Sequence, residues 1–300
     1  MLAKQPAETE PLSLPELRQM QFNGSSFSVK DVLARNKDYT RYLITYKSNG
    51  LTISGIMNLP MGKGPFPILI LNHGHINPKD YTVGRGLKRE QDYFAKNGYI
   101  VIHPDYRNHG LSDKDPRSES NFRLGYVEDV INCVMAVRNS NKKYFDKENI
   151  GMLGHSLGGG ICLNIMVTKP DLVKAHVLYA SVSADYIDNY NKWGRRRQPE
   201  LAEEKGPEFW AELSAINYLD KIIAPILIQH GTADKSCDIR WSEKLAQGLD
   251  KAGKDYKFNK YPGGQHEFIK HWPAFMKSNL EFFDRYLKIN DKNPCVKSFK

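Results

Sequence analysis

Cysteine is scarce in this chain, and the little there is has no metal or redox spacing. The four cysteines are Cys133, Cys162, Cys237 and Cys295. None forms a C-x-x-C pair, which argues against a zinc ribbon or a dithiol site. Cys133 and Cys162 fall in apolar, helix-like stretches and read as small buried hydrophobes. Cys237 and Cys295 remain candidates for pairing. No apolar run approaches the length of a membrane span. No internal repeat is present, and Met1-Leu2-Ala3-Lys4 lacks the hydrophobic stretch of a signal peptide. Basic charge is not lacking: 43 Lys and Arg stand against 34 Asp and Glu, a formal charge of +9. The basic residues are scattered, and no nucleic-acid recognition motif accompanies them. We therefore expect a solvated basic surface and no nucleic-acid partner. The one dense cluster is Arg195-Arg196-Arg197.

Three hundred residues suit a single α/β domain. Residues 3–15, with Pro6, Pro11 and Pro15, read as a flexible leader. Arg41–Lys47 and Leu51–Leu59 form two strands around Ser48-Asn49-Gly50, a hairpin signal. Short apolar runs then alternate with helix-period stretches. Strands are expected at 67–72, 99–103, 149–153, 175–180, 225–229 and 256–261, and helices at 85–96, 126–138, 240–252 and 272–287. That rhythm predicts a mainly parallel, eight-stranded sheet with helices on both faces. The expected layout is a leader and edge segment over 1–39, a domain over 40–290 and a tail over 291–300. Residues 185–220 break the rhythm with a long polar and aromatic segment, which reads as a helical lid. Tyr186, Trp193 and Trp210 within it are candidate pocket residues.

Gly154-His155-Ser156-Leu157-Gly158-Gly159 follows an apolar strand and precedes a helix-like stretch. A serine at the tip of a strand–turn–helix with glycines two residues either side has the form of a nucleophile elbow. A serine hydroxyl needs a base in hydrogen-bond reach, and the base needs an acid to orient it. Downstream, Ile226–Gln229 leads through His230-Gly231-Thr232-Ala233 to Asp234, and Tyr261-Pro262-Gly263-Gly264-Gln265 leads to His266. Both residues follow a strand and a glycine turn. Ser156, Asp234 and His266 are therefore the candidate triad, with Asp185 and Asp238 as alternative acids. An oxyanion needs backbone donors. The N–H of Leu157 is one candidate, and the N–H of His75, after Asn72-His73-Gly74, is the other. The His73 side chain reads as loop-stabilising. A metal site from His73, His75, His103 and His109 matches no ligand spacing and is not expected.

His73-Gly74-His75, Asp105-Tyr106-Arg107-Asn108-His109-Gly110-Leu111-Ser112, the Ser156 elbow, His230–Asp234 and Gln265-His266-Glu267-Phe268 together resemble the α/β-hydrolase superfamily. The resemblance covers roughly residues 40–290 and leans toward the prolyl oligopeptidase-like and acyl-esterase branches. Relatives carry glycine where this chain has Asn108 and Gln265, so local loop shape there is open. Asp105 and Arg107 are usually structural in such proteins. The resemblance implies a serine hydrolase that works through an acyl-enzyme and needs no cofactor. Prolyl oligopeptidase-type peptidases select substrates with a large β-propeller ahead of the hydrolase domain. About forty residues precede the first expected strand here. A carboxylic-ester hydrolase acting on small-molecule esters is therefore the main expectation, and a serine peptidase acting on short peptides the alternative. A dehalogenase would need Asp in place of Ser156, and a non-catalytic binding module would have lost a triad member. Relatives with this type of leader are often exported, which tilts localisation toward the cell envelope. Oligomeric state is not set by the sequence.

Overall fold

A computed structural model describes residues 13–118 and 122–288. The expected tail over 291–300 and Cys295 lie outside them. The described chain opens with α1 (Leu14–Gln19), whose N-terminus is closed by Ser13 and Glu16 in a reciprocal capping box. Three antiparallel strands follow: β1 (Ser25–Arg35), β2 (Tyr39–Ser48) and β3 (Leu51–Pro60). Strands and helices then alternate as β4 (Phe66–Asn72), α2 (Lys88–Lys96), β5 (Ile100–Pro104), α3 (Leu124–Asn139), β6 (Phe145–His155), α4 (Leu157–Thr168) and β7 (Ala175–Tyr179). Next come α5 (Tyr186–Asn189), a π-helical turn (Tyr190–Gly194), α6 (Leu201–Glu204), α7 (Pro207–Glu212) and a 3-10 segment (Ala215–Lys221). The chain closes with β8 (Ile226–Gly231), α8 (Ile239–Lys251), β9 (Tyr256–Tyr261) and α9 (Trp272–Leu287).

Among the described residues, all strands join one sheet in the order β1-β2-β3-β5-β4-β6-β7-β8-β9. It has nine strands, one more than expected. The addition is β1, which pairs only with β2 at the edge. Its sequence hides it: Phe27 is its one buried residue, and Val32 and Leu33 are 44% and 47% exposed, so no two-residue apolar alternation marks the strand. The expected leader also gives way to α1 from Leu14 onward, which packs on α4. β5, β4 and β6–β9 pair in parallel, while β1–β3 form the antiparallel flank.

Side chains on successive strand residues point to opposite faces, so one strand can feed two cores. In β4, Ile68 and Ile70 join Val127, Ile161 and Leu245 of α3, α4 and α8, whereas Leu69 and Leu71 join Phe94, Phe275 and Phe283 of α2 and α9. β4 is buried on both sides for that reason and reads as one apolar run. The chain winds from β4 out to β5 on one side and then crosses to β6 on the other. Such a reversal leaves a crevice beyond the carboxyl ends of the central strands. Ser156, Gly74, Asp234 and His266 all stand just past the ends of parallel strands β6, β4, β8 and β9.

Candidate active site

β6 ends at His155 and α4 begins at Leu157, so Ser156 alone makes the turn. Its φ is 54° and ψ −118°. A residue with a Cβ held there carries strain of about 1–3 kcal/mol, which surrounding contacts must impose. Ser156 N donates to the Tyr179 carbonyl at 3.0 Å, and the Ser156 carbonyl accepts from the N–H of Gly159 at 2.9 Å and of Val182 at 3.2 Å. The flanking glycines are required by contact. A Cβ on Gly154 would lie 2.1 Å from the Gly158 carbonyl oxygen, and one on Gly158 would lie 2.0 Å from the Asn72 carbonyl oxygen. Leu157 is the first residue of α4, where the helix supplies no acceptor for its N–H. Across the turn, Gly74 packs so near that a Cβ there would sit 3.1 Å from Ser156 Cβ. This brings the loop holding His75 against the serine. His75 itself is exposed, with its ring 3.5 Å from an Arg123 guanidinium nitrogen.

The loops after β8 and β9 pack backbone to backbone. Ala233 N donates to the Gly264 carbonyl at 2.9 Å, and a Cβ on Gly231 would meet that same oxygen at 2.2 Å. The result places His266 Nδ1 2.8 Å from Asp234 Oδ2. The carboxylate accepts, so Nδ1 carries the proton and Nε2 is the basic nitrogen. The Asp234 side chain is buried, although its backbone is partly exposed. Its other oxygen accepts from the N–H of Ser236 at 2.8 Å and of Cys237 at 3.0 Å, and His230 Nε2 lies 3.3 Å from Oδ2. Burial acts to raise its pKa, but hydrogen bonds from His230, His266 and the Cys237 N–H outweigh this and hold it well below the usual carboxylate range. Asp234 is therefore ionised beside a half-buried imidazole. The His155 ring packs 4.5 Å from the His266 ring, and its Nε2 is 3.3 Å from the His266 carbonyl oxygen. Burial, reinforced by His266, brings the His155 pKa down to about 3, so it adds no charge there.

The alternative acids are engaged elsewhere. Asp185 caps α5 and pairs with Lys244 at 2.6 Å, and Asp238 caps α8 and binds Arg240. Ser156 and His266 line one cavity of about 1250 Å³. Among the described residues no hydrogen bond joins them, and the contact of Ser156 Oγ is with Cys237 Sγ at 3.8 Å. Nucleophile–base bonds are often long in unliganded enzymes and tighten when substrate arrives. The cavity is walled by Tyr186 and Trp193 and also by Phe122, Tyr190 and Leu213, which the sequence did not single out. Trp210 is a correction. It does not line the cavity but stands behind the wall, 6% exposed, between Phe122, Phe209 and Tyr190 at ring distances of 6.4, 5.2 and 4.7 Å. Cys237 was also missed. It is a buried thiol with no disulfide partner among the described residues, and burial, reinforced by Asp234, pushes its pKa up to about 12.

A family profile described as the prolyl oligopeptidase family matches residues 86–290, more than half of the chain. The chain belongs to the prolyl oligopeptidase family. This family is one of serine hydrolases. The chain is 25% identical over 234 residues to the uncharacterised peptidase YtmA of Bacillus subtilis, covering 76% of this chain and 86% of YtmA. It is 25% identical over 236 residues to the uncharacterised peptidase YuxL of the same organism, but covers only 34% of that protein. Among solved structures, it matches the acylaminoacyl peptidase of Pyrococcus horikoshii with a TM-score of 0.70 at 22% identity, over 87% of this chain and 44% of that one. It matches an acetyl xylan esterase from Paenibacillus sp. R4 with a TM-score of 0.69 at 19% identity, over 91% and 92% of the two chains. The fold is that of the α/β-hydrolases.

As a prolyl oligopeptidase family chain, it departs from the expected glycines at two loops, and both departures have a local account. Asn108 takes a φ of 69°, a left-handed angle that asparagine tolerates better than other residues with a Cβ. Its side chain bridges to Asp115, accepting from the backbone N–H at 2.7 Å and donating to the carbonyl at 2.9 Å. Gln265 is exposed and not among the residues with positive φ, so its loop does not need glycine. Asp105 and Arg107 are structural as expected. Buried Asp105 accepts from Ser54, Tyr81 and the Gly84 N–H, and buried Arg107 pairs with Asp115, Glu128 and Asp129. The ring nitrogens of His73 and His109 face backbone carbonyls. Among the described residues, no group of three or more His, Cys, Asp or Glu is placed to hold a metal ion. No helix among them is long and apolar enough to cross a membrane.

Proposed function

We propose that this serine hydrolase acts on carboxylic esters, with Ser156 as nucleophile, His266 as base and Asp234 as the orienting acid. The observation that carries the reading is the 2.8 Å bond between His266 and a buried, ionised Asp234 at the edge of the cavity that Ser156 enters from a strained turn. Ser156 Oγ attacks the ester carbonyl while His266 Nε2 takes its proton. Asp234 stabilises the imidazolium that forms. The negative oxygen of the tetrahedral intermediate is met by the N–H groups of Leu157 and His75 and by the positive end of α4. His266 then gives the proton to the departing alkoxide. A water molecule, deprotonated by the same nitrogen, attacks the acyl-enzyme and frees the acid. The chemistry needs no cofactor.

Ester over peptide is supported by the state of the carboxylates in the cavity. A peptidase that reads a free amino terminus needs carboxylates open to an ammonium group. Glu90 and Glu267 line the cavity; Glu90 is buried and accepts from Trp272 Nε1 at 2.9 Å, which leaves the exposed Glu267 as a single open carboxylate in the lining rather than a pair. Peptide hydrolysis is the second reading, favoured by the similarity to YtmA over most of both chains. The two separate on one panel: 4-nitrophenyl esters of increasing acyl length against aminoacyl and peptidyl 4-nitroanilides. Esters should dominate in kcat/KM. Anilide turnover rivalling the short esters would replace the ester reading with the peptidase one.

A further inference from the structure

The cluster Arg195-Arg196-Arg197 has no part in the acyl-transfer steps, yet its last member reaches the cavity. All three arginines are exposed, and Arg197 lines the cavity. The segment that presents Arg197 is closely built. Arg195 N donates to the Tyr190 carbonyl at 2.8 Å and closes the π-helical turn. Gly194 lies over the Tyr190 ring so tightly that a Cβ would be 2.8 Å from Cδ2. Arg197 N donates to the Gly194 carbonyl at 2.8 Å, and the buried Tyr190 hydroxyl binds the Gln198 carbonyl at 2.6 Å. Tyr190 in turn packs on Trp210, 4.7 Å between rings. A π-helical turn of this kind costs regular helix bonding and recurs at functional sites.

The charges around Arg197 are one-sided. Five cationic residues line the cavity, namely Arg85, Lys88, Arg89, Arg123 and Arg197, against the two carboxylates Glu90 and Glu267. Glu90 comes from the segment that also brings Arg85, Lys88 and Arg89, and Glu267 approaches it from the loop after β9: Arg89 lies 3.8 Å from the Glu90 carboxylate and donates to the Glu267 backbone carbonyl at 3.4 Å. The lining residues nearest to Arg197 in the chain are Tyr190, Trp193, Gly194, Gln198 and Leu201, none of them acidic. Among the described residues no acidic group pairs with it. A guanidinium held at the rim of an aromatic cleft, inside a chain of charge +9, focuses a field that favours an anion.

We propose that Arg197 binds an anionic group, a carboxylate, on the substrate, so that the preferred esters carry a negative charge on the acyl side chain. This deepens the ester reading of the same site and rests on it. The guanidinium fork offers two parallel N–H donors that match a carboxylate. The aromatic side chains of Tyr186, Tyr190 and Trp193 cover the carbon chain between that carboxylate and the carbonyl attacked by Ser156.

The test compares mono-4-nitrophenyl glutarate, which carries a free carboxylate, with 4-nitrophenyl valerate, a neutral ester of the same acyl length. The anionic ester should have a kcat/KM about tenfold higher at low salt, the scale of one charge-assisted pair. The advantage should shrink as ionic strength rises. Arg197→Gln should bring the ratio of the two esters to about one, and Arg197→Glu should invert it. A ratio that Arg197→Gln leaves unchanged, or a wild-type preference for the neutral ester, overturns the proposal. Binding separates this failure from failure of the ester reading. In the Ser156→Ala protein the glutarate ester is not turned over, and its Kd is measured by calorimetry. Adding Arg197→Gln should weaken it about tenfold; an equal Kd sinks the anion site even where ester turnover is found. If neither ester is hydrolysed but the Kd still depends on Arg197, the ester reading falls and the anion site stands.

Discussion

Of the three candidate acids, Asp234 has a carboxylate that is both buried and charged next to a histidine, which separates it from Asp185 and Asp238. A buried acid stays ionised only where donors surround it. Asp234 has His230, His266 and two backbone N–H groups. Asp185 instead faces Lys244, itself 45% exposed, and such pairs contribute ~1 kcal/mol or less. Asp234→Asn keeps the loop's shape but lets the amide donate, so it no longer fixes Nδ1–H on His266. We expect kcat on 4-nitrophenyl acetate to fall by about 10⁴-fold. Asp185→Asn should change kcat less than about twofold, in line with its small pairing energy. Ser156→Ala should reduce turnover to background with an unchanged circular dichroism spectrum. A larger loss from Asp185→Asn than from Asp234→Asn would reassign the acid, and activity retained in Ser156→Ala would mean another nucleophile.

At the scale of elements, legibility followed burial. β4, β7, β8 and the second half of β6 could be read because each is buried and carries a mainly apolar run. β1 could not, since its outer residues face solvent on both sides. The elbow and the loops of Asp234 and His266 were readable through their glycines, which the backbone contacts at Gly154, Gly158 and Gly231 require. The aromatic insertion was readable as helical but not residue by residue. Its helices α5 and α6 have only four residues each, too few for a period to show which face is inward. That is why Trp210 was expected in the pocket and Phe122, from another segment, was not. The Asn108 turn gives the prediction at this scale. Asn108→Gly keeps the left-handed φ and loses the two bonds to Asp115, whereas Asn108→Ala loses both the bonds and the tolerance. Asn108→Ala should therefore be less stable than Asn108→Gly by about 1 kcal/mol or more. Urea melts of the two variants measure this, and an alanine variant as stable as the glycine one would refute the account of the turn.

For the whole molecule, the cost of placing a polar site on apolar layers shows in its histidines. His73 is enclosed by the aromatic rings of Tyr81, His103, Tyr106 and His109 under the site, His155 lies against His266, and His176 sits inside β7. Burial brings all three pKa values down to about 3. In the unfolded chain each returns to about 6.5. Between those values the unfolded state holds more protons than the folded one, so stability rises with pH and falls as the solution is acidified. The loss begins near pH 6.5 and continues toward pH 3, with a slope of up to about 1.4 kcal/mol per pH unit for each histidine. Asp234 works in the same direction, but only at lower pH, because its folded pKa is depressed and its stabilising charge is lost as the carboxylate takes up a proton. The chain's charge of +9 grows on acidification and adds self-repulsion. Calorimetric Tm, measured at constant ionic strength at pH 7, 6, 5 and 4, should therefore drop at every step, already between pH 7 and 5. A Tm that stays level or rises over that first interval would mean these rings are reached by water and protonate in the folded state.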